Sequence, residues 1–158
     1  MSRLLIFLLI SSFVSAADSF RFEVKTIAED FARPMGMDLG PDGSIYLIEL
    51  QGKVNRIHPT TGERTTLAEI KVFGEQENGL LGIALDPNFK RNNHLFLLYS
   101  PADFIGQRIS RFTLREETLI NEKKVIEWGT QRRECCHHGG MLKFGPNGCL
   151  FASAGDNT

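Results

Sequence analysis

Three stretches of the chain share one pattern of hydrophobic and polar positions: MGMDLGPDGSIYLIE from Met35, LLGIALDPNFKRNNHLFLLYS from Leu80, and GGMLKFGPNGCLFASAGD from Gly139. In each, an apolar run meets a Pro-Asp or Pro-Asn turn and is followed by a second apolar run. Proline presets the first turn dihedral, Asp or Asn tolerates the second, and Gly43 or Gly148 supplies a positive φ. The pattern predicts hairpins whose second strands cover Ser44–Glu49, His94–Ser100 and Cys149–Ala154, rich in β-branched and aromatic residues. Between them Lys53–His58, Arg64–Val72, Arg108–Leu114 and Lys124–Trp128 read as further strands, and no segment carries a long apolar stripe of helical period.

The turn prolines Pro41, Pro87 and Pro146 stand 46 and then 59 positions apart, close to the repeat length of a multi-stranded propeller blade. The fold expected is therefore all-β, an antiparallel β-propeller of which residues 17–158 supply the first two to three blades. Each blade buries its faces against its neighbours. The chain accordingly reads as the N-terminal part of a longer protein, ending inside a blade.

Residues 1–16 stand apart. Arg3 precedes the apolar run Leu4 to Ile10, which Ser11 and Ser12 interrupt, and Val14, Ser15 and Ala16 offer a small-residue cut before Ala17. This is the layout of a secretory signal, too short for a membrane span of about 20 apolar residues. A periplasmic or secreted protein is expected, with no membrane span after cleavage. A formal net charge of −1 gives no electrostatic basis for holding nucleic acid. An exported chain would expose its three cysteines to an oxidising compartment. Adjacent Cys135 and Cys136 are awkwardly close for a mutual bridge, and Cys149 pairing with one of them across a hairpin is an open alternative.

The chemistry concentrates in ECCHHGGMLKFGPNGCLFASAGDNT, from Glu134 to Thr158. Cysteine and histidine are zinc ligands, but successive strand residues point to opposite faces, so Cys135, Cys136, His137 and His138 do not converge easily on one ion. No metal site is expected within the chain. His137 is a candidate general base, since imidazole titrates near neutrality, and Gly139 and Gly140 would let a flat ligand approach the backbone. Residue chemistry alone also allows a plain loop histidine. Glu77-Asn78-Gly79 reads as a solvated turn, while Asp156 and Asn157 close the last strand at a rim, where loops carry binding groups.

Taken in order, NGLLGIALDPNFKRNNHLFLLYS, RISRFTL and HHGGMLKFGPNGCLFASAGDN resemble the glucose/sorbosone dehydrogenase family, from about Arg33 to Thr158. The resemblance implies a secreted six-bladed β-propeller oxidoreductase using pyrroloquinoline quinone (PQQ). It implies His137 as catalytic base and cofactor neighbour, taking the hydroxyl proton as a sugar or aldose gives hydride to the quinone. It implies Glu77 and Asn157 as sugar contacts. Calcium ligands and most cations that hold the quinone are expected outside this chain, which alone should be inactive. Cys136 stands where a glucose-oxidising member has aspartate, and Met141 where an arginine can occur, so glucose is not implied. The expected partners are a small sugar and an external electron acceptor, with a cytochrome c domain among the candidates. The alternative is a secreted propeller that binds a carbohydrate or a protein without turnover.

Overall fold

The computed structural model describes residues 23–135 and 137–156. The expected signal at residues 1–16, Cys136 and Asn157 lie outside the described residues. The strands are β1 (Pro34–Leu39), β2 (Ile45–Glu49), β3 (Lys53–Ile57), β4 (Arg64–Glu69), β5 (Leu80–Leu85), β6 (His94–Tyr99), β7 (Gly106–Arg115), β8 (Thr118–Gly129), β9 (Gly139–Phe144) and β10 (Leu150–Ala154). A single helical turn, α1 (Phe89–Asn92), lies between β5 and β6.

β1 to β4 form one four-stranded antiparallel sheet and β5 to β8 a second, each in sequence order, while β9 and β10 form a hairpin. Each four-stranded meander is what a blade requires. All three predicted turns sit where the prolines placed them. At the first, Gly43 takes φ 82° and donates its N–H to Gly40 O at 2.9 Å; at the third, Gly148 takes φ 78° and donates to Gly145 O at 3.0 Å. The middle connection differs, because Phe89 folds its residues into α1 and buries its ring edge-on against Tyr46, centroids 5.4 Å apart. The turn ends at Asn93, in the left-handed region at φ 53° that asparagine tolerates.

The middle sheet is covered on both faces. Along β6, Leu95, Leu97 and Tyr99 join Tyr46, Ile48, Val54 and Leu67 of the first sheet in one core. Leu98, with Phe96 partly buried, joins Leu81, Ile109 and Leu142 in a second core against the hairpin. The period-two alternation of a strand puts neighbouring residues into different cores. Trimming fully buried Leu97 to alanine removes packing and leaves a cavity between the first two sheets. The expected loss is about 2–5 kcal/mol, read as a lowered denaturant midpoint of the full-length protein.

β8 is longer than expected, running 12 residues with its outer surface exposed, and β4 stops at Glu69, short of Val72. Among the described residues, no helix is long and apolar enough to cross a membrane.

Candidate functional site

The segment between β8 and β9 is bolted to the second sheet. The Arg132 guanidinium donates from Nη2 to the carbonyls of Pro101 at 2.7 Å and Phe104 at 2.6 Å, and lies 4.2 Å from the Phe73 ring centroid. Burial pushes the Arg132 pKa down from its usual value. Gln131 Oε1 accepts the N–H groups of Arg133 and Glu134 at 2.6 and 2.8 Å, closing a tight turn. Cys135 is disulfide-bonded, whereas Cys149 is a free, exposed thiol, so a bridge through Cys149 is not formed.

This segment delivers two adjacent histidines to different surroundings. His137 is exposed and sits in the left-handed region at φ 64°. Its N–H donates to Glu77 Oε2 at 2.7 Å, and its Nδ1 lies 3.0 Å from Asp156 Oδ1. An ionised carboxylate only accepts, so Nδ1 carries a proton, and in the neutral ring Nε2 then presents a lone pair. His138 turns inward and is only 2% exposed, with Nε2 3.2 Å from Asn78 Nδ2. The two rings thus face different surroundings, and among the described residues no group of three or more His, Cys, Asp or Glu side chains is placed to hold a metal ion.

The glycines after them serve the fold. Gly140 has φ 136°, and a Cβ there would lie 2.6 Å from Leu81 Cβ; a Cβ on Gly82 would lie 2.1 Å from Gly140 O. Gly139, at φ 70°, backs onto Ser153 O and Gly155 N, each 2.8 Å from where its Cβ would stand. The tight approach of β9 to β5 and β10 therefore demands glycine at both positions.

Asn78 also departs from expectation. It is fully buried, where a solvated turn was expected, and its Oδ1 accepts a hydrogen bond from Ser100 Oγ at 2.9 Å. Glu77 is exposed and held against His137. Met141 projects into solvent at 72% exposure. Sequence reasoning placed Asp156 at a rim but missed its pairing with His137, and it missed Gln107 and Ser100 altogether. The GD that follows β10 was the only local signal for any of these.

An imidazole with an oriented Nδ1–H and an open Nε2, beside two carboxylates at the end of paired blades, is equipped to accept a proton from a bound hydroxyl. Residues 31–158 match the family described as Glucose / Sorbosone dehydrogenase. The chain belongs to the glucose/sorbosone dehydrogenase family. Its sequence is 28% identical to quinoprotein glucose dehydrogenase B of Acinetobacter calcoaceticus, over 89% of this chain and 32% of that protein. The fold is similar to the PQQ-bound aldose sugar dehydrogenase of Streptomyces coelicolor, with a TM-score of 0.76 and 28% identity, over 85% of this chain and 41% of that one. Human Hedgehog-interacting protein is also 28% identical, over 85% of this chain and 22% of its own length. The two sheets and the hairpin are thus part of a β-propeller, and the chain spans less than half the length of each of these relatives.

Proposed function

We propose that the full-length protein is a PQQ-dependent dehydrogenase that oxidises a sugar or aldose, with His137 as the general base. The observation that carries this reading is the His137 imidazole, held by Asp156 at 3.0 Å on Nδ1 and leaving Nε2 without a partner among the described residues. Asp156 fixes the tautomer and stabilises the imidazolium formed when His137 takes a hydroxyl proton, the division of labour found wherever a carboxylate backs a catalytic histidine. Glu77 holds the peptide of the base in place through its N–H. The quinone, when bound, supplies the electron acceptor for the carbinol carbon.

The described residues fit part of the need of such a cofactor: His137 would supply the base for the reaction at it, but Glu77 and Asp156 are both acidic, and Arg132 is occupied by backbone carbonyls. The cations that balance the quinone's carboxylates, and any calcium, are assigned to the rest of the protein. With Cys136 and Met141 at positions where the family can carry aspartate and arginine, the sugar is not assigned as glucose. Electrons would then pass to an external acceptor, and the N-terminal run from Arg3 to Ala16, which has the layout of a secretory signal, supports export to the periplasm or beyond.

The test is dye reduction by the full-length protein over a panel of aldoses, with and without quinone and calcium. Turnover that requires quinone is expected. Absence of both quinone binding and sugar oxidation would sink the reading and favour a recognition module, for which the likeness to Hedgehog-interacting protein is the supporting observation. Asp156→Ala is expected to lower kcat by about 10- to 100-fold with a smaller change in KM, because the wrong tautomer of His137 becomes accessible. Steady-state kinetics check it, and an unchanged kcat would remove Asp156 from the mechanism.

A further inference from the structure

The second histidine lies buried beside the base, and burial of an imidazole is tolerated only where its polar atoms are held. Ser100 Oγ donates to Asn78 Oδ1 at 2.9 Å, which turns the Asn78 carboxamide N–H toward His138 Nε2 at 3.2 Å. Nε2 is then the acceptor, and the proton resides on Nδ1. Gln107 Nε2 donates to the His138 carbonyl at 2.8 Å. Asn78, Ser100 and Gln107 are each fully buried and lie just before β5, just after β6 and at the start of β7. His138 is thereby gripped at its ring and its carbonyl by three segments of one sheet.

The grip reaches the base through a two-residue clasp. Glu77 holds the His137 N–H at 2.7 Å, and its neighbour Asn78 holds the His138 ring. The two pairs of adjacent residues face each other across blades, so the histidine pair is held at its entry by the His137 N–H and at its exit by the ring and carbonyl of His138. His137 occupies a left-handed conformation, which a free loop would leave readily. Among the described residues, buried His138 Nδ1 and Gln107 Oε1 have no hydrogen-bond partner. Buried polar atoms of this kind are normally paired, which marks the surroundings of His138 as a place to look for a role beyond packing.

We propose that His138 is a positioning residue: seated on Asn78, Ser100 and Gln107, it holds the His137 peptide so that Nδ1 faces Asp156 and Nε2 faces the substrate. The proposal rests on the reading of His137 as a base, and its test separates the two. Full-length protein with labelled histidines is compared as wild type, His138→Leu, His138→Gln and Ser100→Ala. Two readouts are taken: the His137 tautomer from imidazole nitrogen NMR, which needs no turnover, and kcat against KM with a sugar substrate.

Wild type shows His137 protonated on Nδ1. His138→Leu shifts it to a tautomer mixture and lowers kcat about 10- to 100-fold with little change in KM, the penalty of a misplaced base. His138→Gln, whose side-chain oxygen can take the Asn78 N–H, restores both signals. Ser100→Ala, a nearly isosteric change that spares the core, moves both in the Leu direction by a smaller factor. If His138→Leu and Ser100→Ala keep the wild-type tautomer and kcat, with only a lower melting temperature, His138 is core filling and the proposal falls. If wild type oxidises no sugar, the dehydrogenase reading fails, and the tautomer shift alone still decides the positioning role.

Discussion

Replacing His137 by alanine in the full-length, quinone-loaded protein is expected to lower kcat by about 10²- to 10⁴-fold, the usual contribution of a positioned general base. A carbinol carbon gives up hydride only as its hydroxyl loses a proton, and among the described residues His137 presents the open, oriented acceptor for that proton. The neighbouring carboxylates do not replace it: Glu77 Oε2 is bonded to the backbone of residue 137, and Asp156 Oδ1 to the ring itself. Stability should barely change. His137 is exposed, and surface substitutions of this kind usually stay within about 0.5 kcal/mol. Kinetics and a thermal melt on one preparation make the check, and a variant that keeps its rate would return His137 to the status of a loop histidine. Loss of rate without loss of fold is the signature expected of a base.

The strands were legible wherever one face is buried and the other is not. The proline turns at Pro41, Pro87 and Pro146 punctuate the chain, and the strands that follow them alternate as the two cores require. The first half of β8 was not legible, because Thr118 to Lys123 contribute an exposed outer strand whose polar residues carry no period. α1 was missed because a four-residue helix is too short to show one. The site divides in the same way. His137 was singled out as a candidate through its place before a strand and through the family resemblance. The burial of Asn78 and His138 depends on residues 60 positions apart meeting across two sheets, and no local pattern encodes that meeting. Asp156 had a visible position but no visible partner, for the same reason. The glycine pair was read as room for a ligand, and the close passage of the adjoining strands is a second demand on it that no local pattern showed.

Gly155 shows how tightly that backbone is drawn under the base, and Gly155→Ala is expected to disable the site from behind. A Cβ built on Gly155 would stand 1.4 Å from His137 O and 2.3 Å from His137 C. The obstacle is backbone, so no side-chain rotation relieves it, and either the His137 peptide or the exit of β10 must move. The first movement breaks the clasp with Glu77; the second carries Asp156, the next residue, away from His137 Nδ1. Both routes end in a free imidazole. The expected loss of kcat is therefore at least that of Asp156→Ala, with a destabilisation of about 1–3 kcal/mol for the overpacking itself. Gly129→Ala is the matched control, since the nearest atom to its added Cβ is Ile105 O at 4.0 Å, and it should change stability by less than about 0.5 kcal/mol. Kinetics and denaturation of the two variants side by side decide the point. Equal behaviour of Gly155→Ala and Gly129→Ala would show that the base does not depend on the close passage of β10 beneath it, and would weaken the case that Asp156 is held there to orient it.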